Sequence, residues 1–433
     1  RSAAQLETDD WVTLAEGETL FVGYDQTEAE CSILRYRHVK QKNKDFYQVV
    51  LSVTPFYAEM GGQVGDSGYL IDEDGVRYAI VDTKRENNLP VHLMTKLPND
   101  PEQTFRAEIN QERRRMAEAN HTATHLLHQA LRTVLGEHVE QKGSFVSPEV
   151  LRFDFSHYNK LTPEEIRQVE ELVTQAVRAD YPREEHRNIP IAQARAMGAM
   201  ALFGEKYGEE VRVMKYGTSI ELCGGTHLPS TGMIGAFRIV SESSIAAGVR
   251  RIEAVTATNA EAFLYKQEDT LREIKALLNN TPDVVKALQK LLSEESALKA
   301  ELDTLQRAHA TRLKKELLAS RVERSGYRLF VLQGEEKADT IKDIAFQLRG
   351  ELQEPFVFVA ATTEGARGLL TIMLSEEAVA SGLHAGNMVK EAARLIQGGG
   401  GGQPHFATAG GKDGNGLPKA LEQILSQIDV HAR

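Results

Sequence analysis

Two short segments of this 433-residue chain place metal-binding side chains four residues apart. His121 and His125 occur in NHTATHLLHQAL, and Cys223 and His227 occur in CGGTH. Residues four apart on an α-helix lie on one face, so the histidine pair can reach one ion of zinc size. The glycines of CGGTH imply a tight turn instead of a helix. A thiol and three imidazoles form a donor set that zinc prefers, and the sequence therefore predicts a zinc site.

Each half of this predicted zinc site also has an ordinary structural interpretation. A histidine pair at helical spacing more often caps a helix, packs in a core or faces solvent than binds a metal. Only the presence of the second pair in the same region favours a metal. His128 falls seven residues after His121 and is assigned a structural role, with an indirect role behind the ligands left open.

The composition of the chain limits the kind of protein that it encodes. With 41% hydrophobic and 26% charged residues, 433 residues are enough for several globular domains. The net charge of -11 argues against a generally basic surface, although a local basic patch is compatible with it. No apolar run approaches the roughly 20 residues that span a bilayer. The 2 cysteines fit a reducing compartment, and we expect a cytoplasmic protein without a membrane partner.

Four stretches of different pattern must position the predicted ligands, and together they predict an α+β multidomain fold. Residues 1–105 alternate in hydrophobicity and predict a small antiparallel β-barrel. Residues 106–258 mix helical and strand patterns and predict an α+β core that carries the zinc site. Residues 259–322 predict a long helical hairpin or coiled coil. Residues 323–433 alternate strands with helices and predict a C-terminal α/β domain.

Local signals mark the starts of two helices. Thr162, Pro163 and Glu165 supply a capping residue, a first-turn proline and a capping-box acid. Thr281 and Pro282 predict the start of a second helix in the same way. The apolar residues that predict the coiled coil follow it, at Val284, Leu288, Leu291, Leu298, Leu302 and Leu305.

Two glycine-rich segments interrupt these patterns. TPFYAEMGGQVGDSG, residues 54–68, allows a loop that closely approaches a ligand or another domain, or a wide structural turn. GGGGG, residues 398–402, follows a predicted helix and is compatible with a phosphate-binding cradle or with a flexible loop.

Several motifs in combination resemble the editing region of alanyl-tRNA synthetases. They are TPFYAEMGGQVGDSG, HTATHLL, QKGSFV, LRFDFSH and CGGTH. Threonyl-tRNA synthetases have a related editing domain, but their second pair usually reads Cys-x-Gly-Pro-His and they lack the glycine-rich barrel segment. The final glycine run is similar to a C-terminal domain that alanyl-tRNA synthetases share with phosphoesterases, whose Asp-His-His motif is absent from this sequence. The resemblance covers essentially the whole chain.

The resemblance implies hydrolysis of the ester bond in tRNA(Ala) wrongly charged with serine or glycine, with zinc on the four predicted ligands. Size alone cannot reject alanine while admitting both, so polarity must contribute. The resemblance implies that Thr124 binds the serine hydroxyl. It also implies that Gln141 and Ser144 complete the pocket and hold substrate or water. The ordinary alternative for Thr124 is a hydrogen bond to its own helix turn. For Gln141 and Ser144 it is a place on the polar edge of a strand. Four protein ligands would fill a tetrahedral shell, so a catalytic metal would have to release one ligand or expand to five. We expect instead that the metal mainly positions the tRNA end, and its catalytic role stays open.

In this family the C-terminal domain binds tRNA and promotes dimerisation, so the resemblance implies tRNA(Ala) as partner and a homodimer. Lys390, Arg394 and Lys412 are candidates for phosphate contacts, although solvation is the ordinary role of a surface cation. The sequence contains no amino-acid-activating class II domain and does not begin with methionine. We therefore expect the C-terminal portion of a synthetase, unable to aminoacylate alone.

Two alternatives to an editing portion of a synthetase stay open at this point. One is a non-catalytic tRNA-binding and dimerisation module whose zinc is structural, which would bind tRNA(Ala) and leave the mischarged ester intact. The other is a free-standing editing enzyme, although such proteins commonly lack the long C-terminal extension found here.

Overall fold

The computed structural model describes residues 7–41, 44–200, 208–324 and 326–431. It contains two units, divided between Glu273 and Ile274, and both combine helices with sheets. The α+β multidomain fold is thus confirmed, whereas the division into four domains stays a prediction. None of the described helices is both long and apolar enough to cross a membrane.

Six strands of the first unit close into an antiparallel barrel, in the order β4, β10, β7, β8, β9, β5 and back to β4. Successive side chains of a strand point to opposite faces, and the inward set, including Leu51 and Phe105, forms the barrel core. The predicted barrel is confirmed. The strands of this region are β1 (Glu7–Thr8), β2 (Val12–Thr13), β3 (Leu20–Phe21), β4 (Glu28–Gln41), β5 (Lys44–Leu51), β6 (Val53–Thr54), β7 (Gly68–Ile71), β8 (Arg77–Glu86), β9 (Leu89–Met94) and β10 (Thr104–Ile109).

A 25-residue helix, α1 (Gln111–Leu135), follows the barrel and carries the three histidines of the opening motif. Asn110 begins it by accepting a hydrogen bond from the Arg113 amide, and Gly136 ends it. Small and apolar residues recur at helical spacing, so one side of α1 packs into the core of this region. The buried apolar residues are Ala119, Ala123, Leu126, Leu127, Ala130 and Leu131. Because the histidines lie among them, they are buried as well.

Two sheets and two further helices complete the core around α1. One sheet has the order β11, β12, β17, β16 and the other has the order β13, β14, β15. Thr162 and Glu165 form the predicted capping box at the start of α2. The elements are β11 (Gln141–Val146), β12 (Leu151–Ser156), α2 (Pro163–Ala179), β13 (Glu184–Pro190), α3 (Ile191–Ala196), β14 (Glu210–Tyr216), β15 (Ser219–Leu222), β16 (Phe237–Ala246) and β17 (Val249–Thr256).

Two long helices follow, α4 (Ala257–Leu277) and α5 (Val284–Ala319). The predicted start of α5 at Thr281 is wrong, because the Asp283 carboxylate accepts the Lys286 amide and caps the helix two residues later. The leucines of the heptad pattern are exposed, among them Leu298 by 65%. A packed coiled coil is therefore not confirmed, and the hairpin stays a prediction.

The second unit contains a six-stranded sheet in the order β18, β19, β20, β21, β23, β22. Among the described strand pairs of this sheet, β19 and β20 run parallel and the others run antiparallel. Helix α6 supplies the crossover that a parallel connection needs. The strands predicted from YRLFVLQG and FVFVAATT are confirmed. The elements are β18 (Val322–Arg324), β19 (Tyr327–Glu335), α6 (Ala338–Glu351), β20 (Phe356–Glu364), β21 (Arg367–Leu374), α7 (Glu376–Ala380), α8 (Ala385–Ala392), β22 (Gly398–Gly402), β23 (Phe406–Gly411) and α9 (Leu417–His431).

The run of five glycines forms an edge strand, β22, so the flexible loop considered for it is wrong. Strand β23 approaches so closely that side chains would not fit at alternate positions. A Cβ atom on Gly400 would lie 2.3 Å from the Thr408 carbonyl oxygen, and one on Gly402 would lie 2.3 Å from that of Phe406. The glycines therefore permit close pairing of two strands.

Candidate metal centre and adjoining cavity

The four predicted metal ligands lie together in the first unit. Each of these residues offers one possible ligand atom, and the four atoms all lie within 4.8 Å of one another. The residues are His121, His125, Cys223 and His227. The Cys223 Sγ atom is 3.4 Å from Nε2 of His121 and 3.2 Å from Nε2 of His227. Helix α1 places its two histidines one turn apart, and CGGTH follows β15 directly. The donor set and its closeness fit a zinc ion.

The second ring nitrogen of two of these histidines is held by a polar side chain. Nδ1 of His121 lies 2.7 Å from the Gln63 amide oxygen, and Nδ1 of His227 lies 3.1 Å from the Thr122 hydroxyl oxygen. A proton on Nδ1 leaves the Nε2 lone pair free to face Cys223, which is the tautomer a metal ligand needs. The outer contacts therefore orient both rings toward the cluster.

Burial keeps these imidazoles uncharged. It lowers the pKa of His121 and His227 well below the usual histidine value, and the neighbouring histidines lower it further. Burial also lowers the pKa of His125, although the nearby Glu221 carboxylate opposes this effect. Only a neutral imidazole can donate its lone pair to a metal, so the cluster is ready to bind one near neutral pH.

A buried carboxylate joins His128 to this centre. Glu221 Oε1 lies 2.8 Å from Nδ1 of His128, and its other oxygen lies 3.4 Å from Nε2 of His125. Burial alone would raise the pKa of Glu221, but His125 and His128 hold it below its ordinary value. His128 therefore acts on the centre through Glu221, and it is not a member of the four-residue cluster.

The glycine-rich segment of the barrel packs directly on CGGTH. Gln63 is fully buried, its amide nitrogen donates to the Thr226 hydroxyl, and its oxygen accepts the Thr226 amide. A Cβ atom on Gly225 would lie 2.0 Å from Cε1 of His121, so any side chain there would displace the ring. The interpretation of residues 54–68 as a loop that faces a bound ligand or another domain stays a prediction, and the structure shows that Gln63 of this segment contacts His121 and Thr226.

One buried arginine of α1 ties the barrel loops to the helix that carries the histidines. Arg114 donates to the Asp66 carboxylate, to the Gly23 carbonyl at 2.7 Å and to the Pro55 carbonyl at 2.9 Å. A buried ion pair needs such further hydrogen bonds to offset the cost of desolvation. Arg114 consequently fixes the barrel loops relative to α1.

A cavity of about 240 Å³ adjoins the cluster. It brings the three predicted pocket residues together, and its lining consists of Tyr57, Met60, Gly61, His121, Thr124, His125, Gln141, Ser144, Glu221, Leu222, Cys223, Gly224 and Gly225. Gln141 and Ser144 approach each other at 3.5 Å. The Thr124 hydroxyl donates to the Asn120 carbonyl at 2.8 Å, as an ordinary helix threonine would. A larger cleft of about 740 Å³ lies beside the barrel, but none of the predicted ligands or pocket residues lines it.

Sequence reasoning missed Gln63, Tyr57 and Glu221 as parts of this site. Tyr57 is buried, lines the cavity and donates to the Met60 carbonyl. The available signals were a glutamine between the glycines of MGGQVG and an acid two residues before the cysteine of CGGTH. Both are polar residues, one within the glycine-rich segment 54–68 and one just before the CGGTH motif.

Three protein-family models match separate parts of the chain. The Threonyl and Alanyl tRNA synthetase second additional domain matches residues 211–253, which include CGGTH. The DHHA1 domain matches residues 324–429, in the second unit. The tRNA synthetases class II (A) model matches residues 2–113. The expectation that the chain contains no part of a class II synthetase domain is therefore not confirmed for residues 2–113, which include the barrel.

Curated relatives cover nearly all of the chain. It is 64% identical over 431 residues to the alanine–tRNA ligase of Porphyromonas gingivalis and 58% identical over 430 residues to that of Parabacteroides distasonis. Each alignment covers 99% of this chain and 49% of the relative. The C-Ala domain from Aquifex aeolicus alanyl-tRNA synthetase is 24% identical, with a TM-score of 0.23, over 25% of this chain and 96% of that one. The chain spans about half the length of the curated relatives that it matches.

Proposed function

The chain belongs to the alanyl-tRNA synthetase family, and from this membership we propose that its metal centre and cavity hydrolyse Ser-tRNA(Ala) and Gly-tRNA(Ala) in the cytoplasm. The observation that carries the proposal is the position of Thr124 in a cavity that three of the cluster residues, His121, His125 and Cys223, also line. Its hydroxyl proton is committed to the Asn120 carbonyl, so toward a ligand this oxygen can only accept a hydrogen bond.

An acceptor at this point distinguishes serine from alanine by chemistry. The serine hydroxyl can donate to Thr124, whereas the alanine methyl cannot. A methyl group placed against the oxygen would leave its lone pairs unpaired in a buried site, which costs about 1–3 kcal/mol. Glycine has no β-carbon and leaves room for a water to satisfy the same oxygen. Polarity thus admits serine and glycine and disfavours alanine, as a purely steric sieve cannot.

The protein's own residues place the ester and the water. Gln141 and Ser144 line the cavity, and the Ser144 hydroxyl is 3.4 Å from the Gly61 carbonyl of the glycine-rich loop. We assign them to hold the substrate and the attacking water. A zinc ion on His121, His125, Cys223 and His227 would supply a positive charge that orients the tRNA end. Water then adds to the ester carbonyl, the ester C–O bond breaks, and the ribose oxygen leaves with a proton.

Release of serine from Ser-tRNA(Ala) tests the proposal. We expect Cys223→Ala to lose hydrolysis, because it removes a donor of the cluster. Cys31→Ala is the matched control, since Cys31 lies in the barrel core and outside the cavity. A Cys223→Ala protein with the wild-type rate would refute the proposed site.

A second candidate function is supported by the number of donors. Four protein ligands fill the tetrahedral shell of zinc, which is typical of structural sites. In that case the chain is a non-catalytic module that binds tRNA(Ala) and dimerises. Chelation of the metal would then unfold the first unit, whereas an editing site with a positioning metal would lose activity and keep its fold.

We assign tRNA binding and homodimerisation to the second unit. Lys390, Arg394 and Lys412 are all exposed there. Lys390 lies in α8 and Arg394 follows four residues later, just before the glycine strand β22. Exposed cations beside a strand without side chains leave room for a phosphate backbone to approach.

A further inference from the structure

The turn that carries Cys223 is held by side chains from outside it. The Arg212 guanidinium donates to the Cys223 carbonyl at 3.0 Å and to the Gly225 carbonyl at 2.6 Å. The Tyr24 hydroxyl donates to the intervening Gly224 carbonyl at 2.6 Å. Three consecutive carbonyl groups are therefore bound by two side chains, one from β14 and one from the barrel region.

Stacking and ion pairs fix these two side chains. The Arg212 guanidinium lies 4.0 Å from the centre of the Tyr24 ring. The Arg187 guanidinium also lies near this ring, 5.2 Å from its centre. Glu185 accepts from Arg212 Nε at 2.6 Å, and Asp25 accepts from both terminal nitrogens of Arg187 at 2.7 and 2.9 Å. Neither donor is free to rotate away.

The backbone of Tyr24 is anchored to the helix that carries two of the predicted ligands. Arg114 of α1 donates to the carbonyl of Gly23. A Cβ atom on Gly23 would lie 2.2 Å from the Pro55 carbonyl oxygen, so the chain approaches the next barrel loop at a point where only glycine fits. The Tyr24 hydroxyl is thereby placed at a set distance from α1.

A turn with two adjacent glycines has a large conformational entropy when it is unrestrained. Such freedom would move the Cys223 thiol away from the imidazoles that it now faces at 3.2 and 3.4 Å. We propose that Tyr24 and Arg212 are positioning residues, which fix the Cys223–Gly225 turn so that the thiol completes the metal centre. The inference rests on the proposed function only in assigning this cluster to a metal.

Two further observations agree with this role. Burial raises the pKa of Tyr24, so its hydroxyl stays protonated and remains a donor. One terminal nitrogen of Arg212 donates to both carbonyls while its Nε donates to Glu185, and the single ammonium of a lysine lacks the fork that serves both sets of partners at once. Arg212→Lys is consequently not a conservative change here.

The reactivity of Cys223 in metal-free protein tests this role without any tRNA. An aromatic disulfide reagent reports each thiol that attacks it by releasing one coloured thiolate. Burial raises the pKa of the Cys31 thiol to about 12, so Cys31 stays silent and the signal reads Cys223. We expect Tyr24→Phe, which keeps the ring and removes the hydroxyl, to change the rate of this reaction severalfold.

Zinc affinity, measured by competition with a coloured chelator, is the second readout. We expect Tyr24→Phe and Arg212→Lys each to weaken zinc binding by about tenfold, as loss of outer contacts does at other metal sites. Tyr69→Phe is the matched control, because Tyr69 also stacks on an arginine, Arg77, but lies on the barrel away from the turn. If Arg212→Lys does not fold, Tyr24→Phe alone decides.

The outcomes separate this inference from the proposed function. Wild-type thiol reactivity together with wild-type zinc affinity in Tyr24→Phe would overturn the positioning role. A wild-type protein that binds zinc and leaves Ser-tRNA(Ala) intact would overturn editing, while the effect of Tyr24→Phe on zinc would still support the positioning role.

Discussion

The amide oxygen of Gln63 lies 2.7 Å from Nδ1 of His121, so the glycine-rich loop of the barrel directly orients a predicted metal ligand. The two residues are 58 positions apart, with Gln63 between β6 and β7 and His121 in α1. The barrel therefore contributes to the histidine and cysteine cluster, because its loop sets the tautomer of a predicted ligand on α1.

Removal of the Gln63 amide should weaken metal binding. Gln63→Ala leaves Nδ1 of His121 and the Thr226 amide without their partner, and we expect about a 10- to 100-fold loss of zinc affinity. Gln103→Ala is the control, because Gln103 bonds only to the Asp100 carbonyl in a barrel turn. Equal zinc affinity for Gln63→Ala and wild type would show that this contact does not support the centre.

The acceptor role of Thr124 can be separated from its shape. Thr124→Val keeps the volume and removes the oxygen, so we expect serine release from Ser-tRNA(Ala) to fall by about 10- to 100-fold, equivalent to roughly 1–3 kcal/mol. Thr124→Ser should retain much of the rate. Thr133→Val serves as the control, since Thr133 makes the same bond to its own helix turn on the exposed side of α1. A full rate in Thr124→Val would exclude recognition through this oxygen.

The stability of the barrel should depend on pH through His92. Nδ1 donates to the Val49 carbonyl, Nε2 accepts from Thr54, and burial lowers the pKa of His92 to about 4. In the unfolded chain His92 takes up a proton near pH 6.5, whereas in the folded protein it does so only near pH 4. The free energy of unfolding is therefore at its full value above pH 6.5 and decreases as the pH falls toward 4, by on the order of 3 kcal/mol.

Chemical unfolding at several pH values measures this effect. We expect His92→Asn to be less stable than wild type at pH 7.5 and to lose less stability between pH 7 and about 4. Gln103→Ala removes no titratable group from the barrel and should keep the wild-type slope. Parallel curves for wild type and His92→Asn would contradict the assignment.

Binding of tRNA by the second unit should depend on salt through named cations. If Lys390 and Arg394 contact phosphates, the change of each to glutamine weakens binding and reduces the slope of log affinity against log salt by about one. Lys337→Gln is the control, because this exposed lysine follows Glu335 and Glu336 and lies in an acidic setting. Unchanged slopes in both variants would place the tRNA contact elsewhere.

The sequence predicts local structure well where one segment carries its own signal. Period-2 alternation indicated the barrel strands, helical spacing indicated α1, and the Thr162 capping box indicated the start of α2. The clustering of the two pairs of predicted ligands was also predictable, because each pair lies within five residues. The glycine run was not, since its role is to let β23 approach, and that depends on a neighbouring strand.

Contacts between distant segments left no such signal. Gln63 meets His121 across 58 residues and His128 meets Glu221 across 93, and neither pair shows any periodicity in the sequence. The hydroxyl bond of Thr124 to Asn120 is ordinary for a helix, and only the cavity beside it gives the remaining lone pairs a function. The four clustered residues could therefore be predicted, whereas the residues that orient them depended on the fold.

Side-by-side deacylation of Ser-tRNA(Ala), Gly-tRNA(Ala) and Ala-tRNA(Ala), with bound zinc measured in the same preparation, tests the central claim most directly. We predict that the zinc-loaded chain releases serine and glycine and leaves the alanyl ester close to its rate in buffer. Three esters that all decay at their buffer rates in the presence of the zinc-loaded, tRNA-binding chain would contradict an editing site and leave the non-catalytic module.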